Sequence, residues 1–129
     1  MQYKFNVNFA LDLGYKEYLS HQIYASADFL LMPSRVEPCG LNQMYAMRYG
    51  TIPIVRYTGG LRDTVQDIST GGSGLNFTNA GTDDVVHSIK RALHIYSQKD
   101  LMKGLIYSNV SFDFSWEKSA NNYLEMYNY

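Results

Sequence analysis

Residues 32–65 read MPSRVEPCGLNQMYAMRYGTIPIVRYTGGLRDTV, and the order of residue types in this stretch decides the fold. An apolar run ends, a turn that carries the acid Glu37 follows, and a helix-compatible segment continues to Gly50. A second short apolar run and the pair Gly59 and Gly60 then repeat the arrangement. Two successive units of strand, turn and helix are typical of an α/β domain with a parallel sheet.

The elements of this stretch follow from its apolar runs and its glycines. The run DFLLM at 28–32 predicts a strand buried on both faces, as in a parallel sheet. Residues 40–49 are predicted to form a helix that ends at Gly50, where glycine adopts a left-handed cap at little cost. Residues 52–55 predict the next strand, and a short helix over about 59–66 completes the second unit.

The flanking segments extend the same alternation of strands and helices. Alternating apolar residues at 5–9 suggest a short strand, and a glycine-rich turn at 71–74 precedes the last one. The other predicted elements are a helix at 15–26, a strand at 75–77, a helix capped by Thr82, a helix at 100–110 and a helix capped by Ser115. Apolar residues form a stripe along one side of each of the two capped helices. They are Val85, Val86, Ile89, Ala92, Leu93 and Tyr96 in the first, and Trp116, Ala120, Tyr123, Leu124 and Tyr127 in the second.

Length and composition limit the classes of function. The chain has 129 residues, enough for one domain, with 46% hydrophobic and 18% charged residues. A net charge of -1 gives no electrostatic footprint for nucleic acid or an anionic membrane. Because Cys39 is the single cysteine, no internal disulfide and no thiolate zinc cluster can form. The sequence shows no secretory leader and no long apolar span, so a cytoplasmic protein is expected.

The turn at 34–40 has the properties of a ligand site. In open α/β sheets, ligands bind beyond the carboxyl ends of the strands, which is where this turn is predicted to lie. The N–H groups at the start of the following helix can donate hydrogen bonds to phosphate or sugar oxygens, and Glu37 adds a carboxylate for hydroxyls or developing positive charge. The turn at 58–61 repeats the arrangement, which suits a diphosphate joined to a sugar. Glycines at such turns also serve structure alone, and the pattern leaves that alternative open.

Two segments resemble a known family. The stretch at 21–65, with EPCGL and TGGL at this spacing, closely resembles the donor domain of bacterial glycogen synthases and plant starch synthases. The segment FDFSWEKSANNYLEMY at 112–127 is similar to the closing segment of the same family. These are retaining glycosyltransferases of family five. The resemblance implies a GT-B fold, in which this chain supplies a Rossmann-like parallel sheet with flanking helices.

The resemblance also implies a reaction. Family members transfer glucose from ADP-glucose, or UDP-glucose in some relatives, to the non-reducing end of an α-1,4-glucan with retention of configuration. They need no catalytic metal and no cofactor, and the chain has no Asp-x-Asp motif. The expected partners are therefore ADP-glucose or ADP and a glucan acceptor.

The family motifs assign roles to individual residues. Glu37 matches the active-site acid that holds glucose hydroxyls, and Tyr45 stands where an E-x7-E pattern would place a second acid. The remaining matches are donor-binding positions. The backbone of Cys39, Gly40 and Leu41 would meet the glucose, and Asn42 would lie near the distal phosphate. Tyr15 would stack on adenine, His21 would lie near the donor, and Thr58, Gly59 and Gly60 would form the donor-site glycine loop. Each has a structural alternative, since Tyr15 and His21 also suit simple packing. Cys39 is not expected to be a nucleophile, because no histidine lies nearby in sequence.

The family further implies how this chain relates to a whole enzyme. Residues 1–129 are expected to be part of the C-terminal donor-binding domain, without the first strands of that domain and without the acceptor-binding N-terminal domain. Such a fragment is expected to be inactive alone and to self-associate through unpaired strand edges. Two alternatives stay open: a related GT-B transferase with another acceptor, and a non-catalytic fragment that binds nucleotide or glucan or only self-associates.

Overall fold

A computed structural model describes residues 8–127, which form strands and helices in the predicted alternation. The strands are β1 (Phe29–Met32), β2 (Ile52–Arg56) and β3 (Leu75–Phe77), and the helices are α1 (Glu17–Ser26), α2 (Asn42–Arg48), α3 (Gly59–Thr64), α4 (Thr82–Ser97), α5 (Lys99–Ser111) and α6 (Trp116–Tyr127). The strand predicted at 5–9 lies mostly outside the described residues, and Phe9 is not in a strand.

The three strands form a parallel sheet in the order β1-β2-β3, so β2 lies in the centre. Leu31 of β1 is opposite Ile54 of β2, and Ile54 is opposite Leu75 of β3. Pairing with β3 begins at Ile54, one residue after Pro53, so the proline precedes the segment that has neighbours on both sides. The predicted parallel sheet is confirmed.

Helices cover both faces of the sheet, each over its own apolar cluster. On one face, α4 and α5 pack against the strands through Ile52, Ile54, Leu75, Phe77, Ala92, Ile95, Met102 and Leu105. On the other face, α2 and α3 enclose Met32, Met47, Val55, Leu61 and Val65. Burial on both faces explains why β1 and β2 have apolar runs rather than alternating patterns. The Rossmann-like α/β fold is therefore confirmed.

The predicted cap of α4 is wrong by one residue. Thr82 is the first helical residue, Gly81 occupies the cap position, and no side chain caps the helix. The carboxylate of Asp84 reaches back instead and accepts hydrogen bonds from the backbone N–H and the side-chain amide of Asn79, at 2.8 and 3.0 Å. The Ser115 cap is confirmed, because Lys118 N–H donates to its Oγ at 3.2 Å.

The apolar stripe of α4 is covered only in part, since Ala92 is buried and Val85 packs against the same cluster. In α4 the buried residues are Ser88, Ala92 and Ile95, while Leu93 is 63% exposed, because apolar residues occur around more than one face of this helix. No side chain of α6 is buried among the described residues, and Trp116 is 90% exposed. None of the helices in this described part is long and apolar enough to cross a membrane.

Candidate active site

The site begins where β1 and β2 end. The first turn follows β1 and contains Glu37, and the second follows β2, contains Thr58 and leads into α3 at Gly59 and Gly60. The backbone N–H of Gly60 donates to the carbonyl oxygen of Glu37 at 3.1 Å. Because parallel neighbours end at the same edge of a sheet, the two turns lie side by side at the position expected for a ligand.

The glycine pair is required by contact between the two backbones. A Cβ added to Gly59 would overlap the carbonyl oxygen of Glu37, and one added to Gly60 would overlap the carbonyl oxygen of Cys39. Gly59 also has a φ of 46°, which disfavours other residues. The amide of Gly60 is already satisfied within the chain, so the structural alternative accounts for this pair. A role of either glycine toward a donor stays a prediction.

The Glu37 carboxylate is held by a residue of its own turn. Ser34 Oγ donates to Glu37 Oε2 at 3.3 Å, and both side chains are half-buried. A hydrogen bond of this length is weak, and such contacts in unliganded sites commonly shorten when substrate binds. The described contact of the Glu37 carboxylate is therefore with Ser34, which helps to orient it.

Arg56, at the end of β2, forms hydrogen bonds with the segment after β1 and with the segment after β3. Its guanidinium donates from Nη1 to the carbonyl oxygens of Arg35, at 2.5 Å, and Ser34, at 3.4 Å. Its Nε donates to the carbonyl oxygen of Thr78, at 3.1 Å. Sequence reasoning missed this residue, although an arginine directly after a buried strand and before a glycine turn was the available signal.

Gln43 is a second residue that sequence reasoning missed. It is completely buried, and its Nε2 donates to the carbonyl oxygen of Gly40 at 2.8 Å and to Thr64 Oγ1 at 3.0 Å. Its Oε1 is buried without a partner in the described structure, close to where a Cβ on Gly40 would lie. Gly40 has a φ of 76°, so both conformation and space require glycine there.

The predicted donor residue His21 belongs to an aromatic cluster between α1 and α2, and Tyr15 lies near this cluster. His21 lies with its ring centroid 5.9 to 6.4 Å from those of Tyr24, Tyr45 and Tyr49, and its Nδ1 is 3.2 Å from the Tyr49 hydroxyl. Burial raises the pKa of Tyr24, and the nearby phenols of Tyr15 and Tyr45 add to that effect. Tyr15 is 83% exposed at the edge of the cluster. His21 therefore contacts tyrosines of this cluster and not the Glu37 turn.

The remaining predicted positions lie around the start of α2. Leu41 is the cap residue, Asn42 is the first helical residue, and both are exposed, as is the thiol-bearing Cys39. The helix begins two residues later than predicted because Gly40 adopts the left-handed conformation. Within residues 8–127, no group of three or more acidic, histidine or cysteine side chains is placed to hold a metal ion.

A Rossmann-like sheet with an acid-bearing turn at its carboxyl edge fits the class of GT-B glycosyltransferases that the sequence motifs resemble. Residues 4–105 match the family described as Glycosyl transferases group 1. The chain belongs to this family.

Curated relatives sharpen the assignment. The chain is 52% identical over 121 residues to a glycogen synthase of Flavobacterium johnsoniae. The matched residues are 94% of this chain and 26% of the relative. It is 47% identical over 130 residues to a glycogen synthase of Bacillus cereus strain Q1. That match covers 98% of this chain and 27% of the relative. The chain therefore spans about a quarter of the length of these relatives. The resemblance to glycogen and starch synthases predicted from the sequence is confirmed.

Solved structures agree with this assignment. The catalytic domain of starch synthase IV from Arabidopsis thaliana, bound to ADP and acarbose, is 44% identical with a TM-score of 0.81, covering 90% of this chain and 25% of that one. Sucrose-phosphate synthase from Thermosynechococcus elongatus is 25% identical with a TM-score of 0.71, covering 98% of this chain and 32% of that one. The GT-B fold class is thereby confirmed.

Proposed function

We propose that this chain is the donor-binding part of a retaining glucosyltransferase that transfers glucose from ADP-glucose to the non-reducing end of an α-1,4-glucan. The observation that carries this proposal is the position of the half-buried Glu37 in the turn between β1 and α2, at the carboxyl edge of the parallel sheet. Identity of 52% to a glycogen synthase supports the choice of reaction, and a starch synthase neighbour bound to ADP and acarbose supports the choice of ligands.

Glu37 is the residue that we assign to the reacting sugar. Its carboxylate accepts hydrogen bonds from glucose hydroxyls and stabilises positive charge that develops at the anomeric carbon. We assign the backbone of Cys39, Gly40 and Leu41 to contacts with the glucose, and Asn42 to the distal phosphate. No metal takes part in this proposal, so a chelator is expected to leave donor binding unchanged.

Tyr15 is the residue that we assign to the nucleoside. Its ring is exposed at the edge of the aromatic cluster, so one face is available to stack on adenine. His21 supports this surface through its contacts with Tyr45 and Tyr49 rather than through the sugar. Tyr45 stands where a second acid would be in an E-x7-E pattern, so a single carboxylate, Glu37, serves the donor sugar.

Calorimetry with this chain tests the nucleotide half of the proposal. We expect ADP to bind in a 1:1 complex and Tyr15→Ala to weaken it about tenfold, since stacking of a base contributes about 1–3 kcal/mol. Tyr107→Ala removes an equally exposed tyrosine from α5 and is the matched control. Absence of ADP binding, or an equal loss in both variants, would contradict the assignment. Binding of maltooligosaccharide without ADP would favour a glucan-binding fragment.

A further inference from the structure

Arg56 connects three segments that meet at the active-site edge of the sheet. It is the last residue of the central strand, and its guanidinium donates to carbonyl oxygens on both sides. On one side these belong to Ser34 and Arg35, at the start of the Glu37 turn, and on the other side to Thr78, just after β3. The planar fork of arginine suits this task, because its N–H groups point in several fixed directions at once.

We propose that Arg56 is a positioning residue for the Glu37 carboxylate. The contacts form a path in which Arg56 fixes the backbone of Ser34 and Arg35, and Ser34 Oγ then meets Glu37 Oε2. The segment between β1 and α2 has no regular secondary structure, so these bonds limit where Glu37 points. The proposal rests on the proposed function, since it assigns Arg56 a role in orienting the acid of that same site.

The contacts of Arg56 lie outside the apolar core, so its positioning role can be tested apart from the general stability of the fold. Neither apolar cluster of the sheet includes Arg56, Ser34 or Thr78, and Arg56 is only half-buried. The carbonyl oxygens that it binds lie near the surface, so water replaces the guanidinium when it is removed. Truncation of Arg56 is therefore expected to loosen the turn without unfolding the sheet.

Arg48 provides a matched control in the same chain. Its Nη1 donates to the carbonyl oxygen of Val110 at 3.0 Å, joining α2 to the end of α5. Arg48→Ala therefore removes a guanidinium-to-carbonyl bond of similar kind, away from Glu37. Any effect that is common to Arg48→Ala and Arg56→Ala reports general stability rather than positioning.

The first readout is the side-chain carboxyl carbon of Glu37, observed by carbon NMR in this chain at neutral pH. We expect Arg56→Ala and Ser34→Ala each to shift and broaden this resonance, and the double variant to add little, because both act on one path. Arg56→Lys retains a cation that reaches one carbonyl at a time, so it is expected to restore part of the effect. An unchanged Glu37 resonance in folded Arg56→Ala would overturn the proposal.

The second readout is catalysis in a chimera in which this chain replaces the matching segment of the Flavobacterium johnsoniae glycogen synthase. Arg56→Ala is expected to lower kcat about tenfold while KM for ADP-glucose stays within about twofold, since misorientation affects the transition state more than ground-state binding. Arg48→Ala is expected to match the parent chimera, and equal losses in both variants would overturn the proposal. A parent chimera without activity would count against the proposed function, while the NMR result would still decide the role of Arg56.

Discussion

Gln43 Nε2 donates to Thr64 Oγ1 at 3.0 Å, and this bond joins α2 to α3, the helices that follow the two turns of the site. Gln43 also donates to the carbonyl oxygen of Gly40, and Thr64 Oγ1 donates to that of Gly60 at 2.7 Å. One side-chain pair thereby binds both turns from the interior of the protein. The spacing of the turns is set by this buried contact together with the backbone bond from Gly60 to Glu37.

Removing either partner of this pair is expected to destabilise the fold. Gln43→Leu leaves the carbonyl oxygen of Gly40 and the Thr64 hydroxyl without their donor, so we expect a loss of about 2 kcal/mol. Thr64→Val is expected to cost about 1 kcal/mol. Urea unfolding of both single variants and the double variant measures their coupling, which we expect to be about 1 kcal/mol. Strictly additive losses would show that the bond has no energetic role.

The glycine pair gives a prediction with an internal control. Gly60→Ala places a methyl group against the carbonyl oxygen of Cys39 and is expected to destabilise the fold by about 3 kcal/mol or more, because two backbones must separate. Gly104→Ala adds a methyl group to α5 where nothing lies within 4 Å. That variant is expected to stabilise the chain by about 0.5–1 kcal/mol through helix propensity. Thermal unfolding compares them, and a Gly60→Ala variant as stable as wild type would contradict the described contact.

Asp67 makes stability depend on pH. Burial acts to raise the pKa of this carboxyl, but hydrogen bonds from the Arg91 guanidinium, Asn76 N–H and Ser69 outweigh it and hold the pKa well below its usual range. A depressed folded pKa stabilises the protein above the unfolded value of about 4 and loses that contribution as the pH falls further. The carboxylate is therefore expected to matter at neutral pH and to matter less in acid.

The test of this dependence is a pair of carboxamide variants. Asp67→Asn is expected to lower the free energy of unfolding by about 2 kcal/mol at neutral pH, and the difference should shrink below about pH 4. Asp63→Asn breaks the exposed contact with Arg62, which is 3.6 Å long, and is expected to cost less than about 0.5 kcal/mol. Urea titrations at several pH values measure both. A loss from Asp67→Asn that is independent of pH would argue against the ion pair with Arg91.

The sequence predicted the part of the fold that local patterns determine. The apolar runs of β1 and β2 are unambiguous because both faces of these strands are covered, and Gly40 and Gly50 mark turns through their need for positive φ. The stripe of α6 showed that one face of the helix is apolar but did not show what covers it. In α4, apolar residues lie on several faces of the helix. The sequence therefore could not show which face packs, because that depends on contacts with the sheet.

The site was predicted less completely, for a related reason. Glu37 is visible in sequence because it lies in a distinctive turn between a strand and a helix. Gln43 and Arg56 act through partners about 20 residues away, and no local pattern distinguishes them from other polar residues. The sequence left open whether Gly59 and Gly60 serve a ligand or structure alone. The structure shows that the neighbouring backbone requires both glycines, and a role toward a donor stays a prediction.

The edge of β1 predicts association between copies. Within the described residues, β1 pairs only with β2, and Leu31 at this edge is 39% exposed. Unpaired strand edges recruit other chains, so light scattering of this chain should show concentration-dependent dimers or larger species. Leu31→Lys places a charge on the edge and is expected to shift the population toward monomer. A wild-type chain that stays monomeric at high concentration would contradict this prediction.

The central claim is that this chain binds an activated glucose and that Glu37 acts on it. The most direct measurement is transfer of labelled glucose from ADP-glucose to glycogen by the Flavobacterium johnsoniae chimera, compared with its Glu37→Gln variant and an Asp100→Asn control on α5. We expect the parent and the control to be equally active and Glu37→Gln to lose about 100-fold or more in kcat with its fold intact. A folded parent chimera that transfers no glucose, or a Glu37→Gln variant as active as the parent, would contradict the claim.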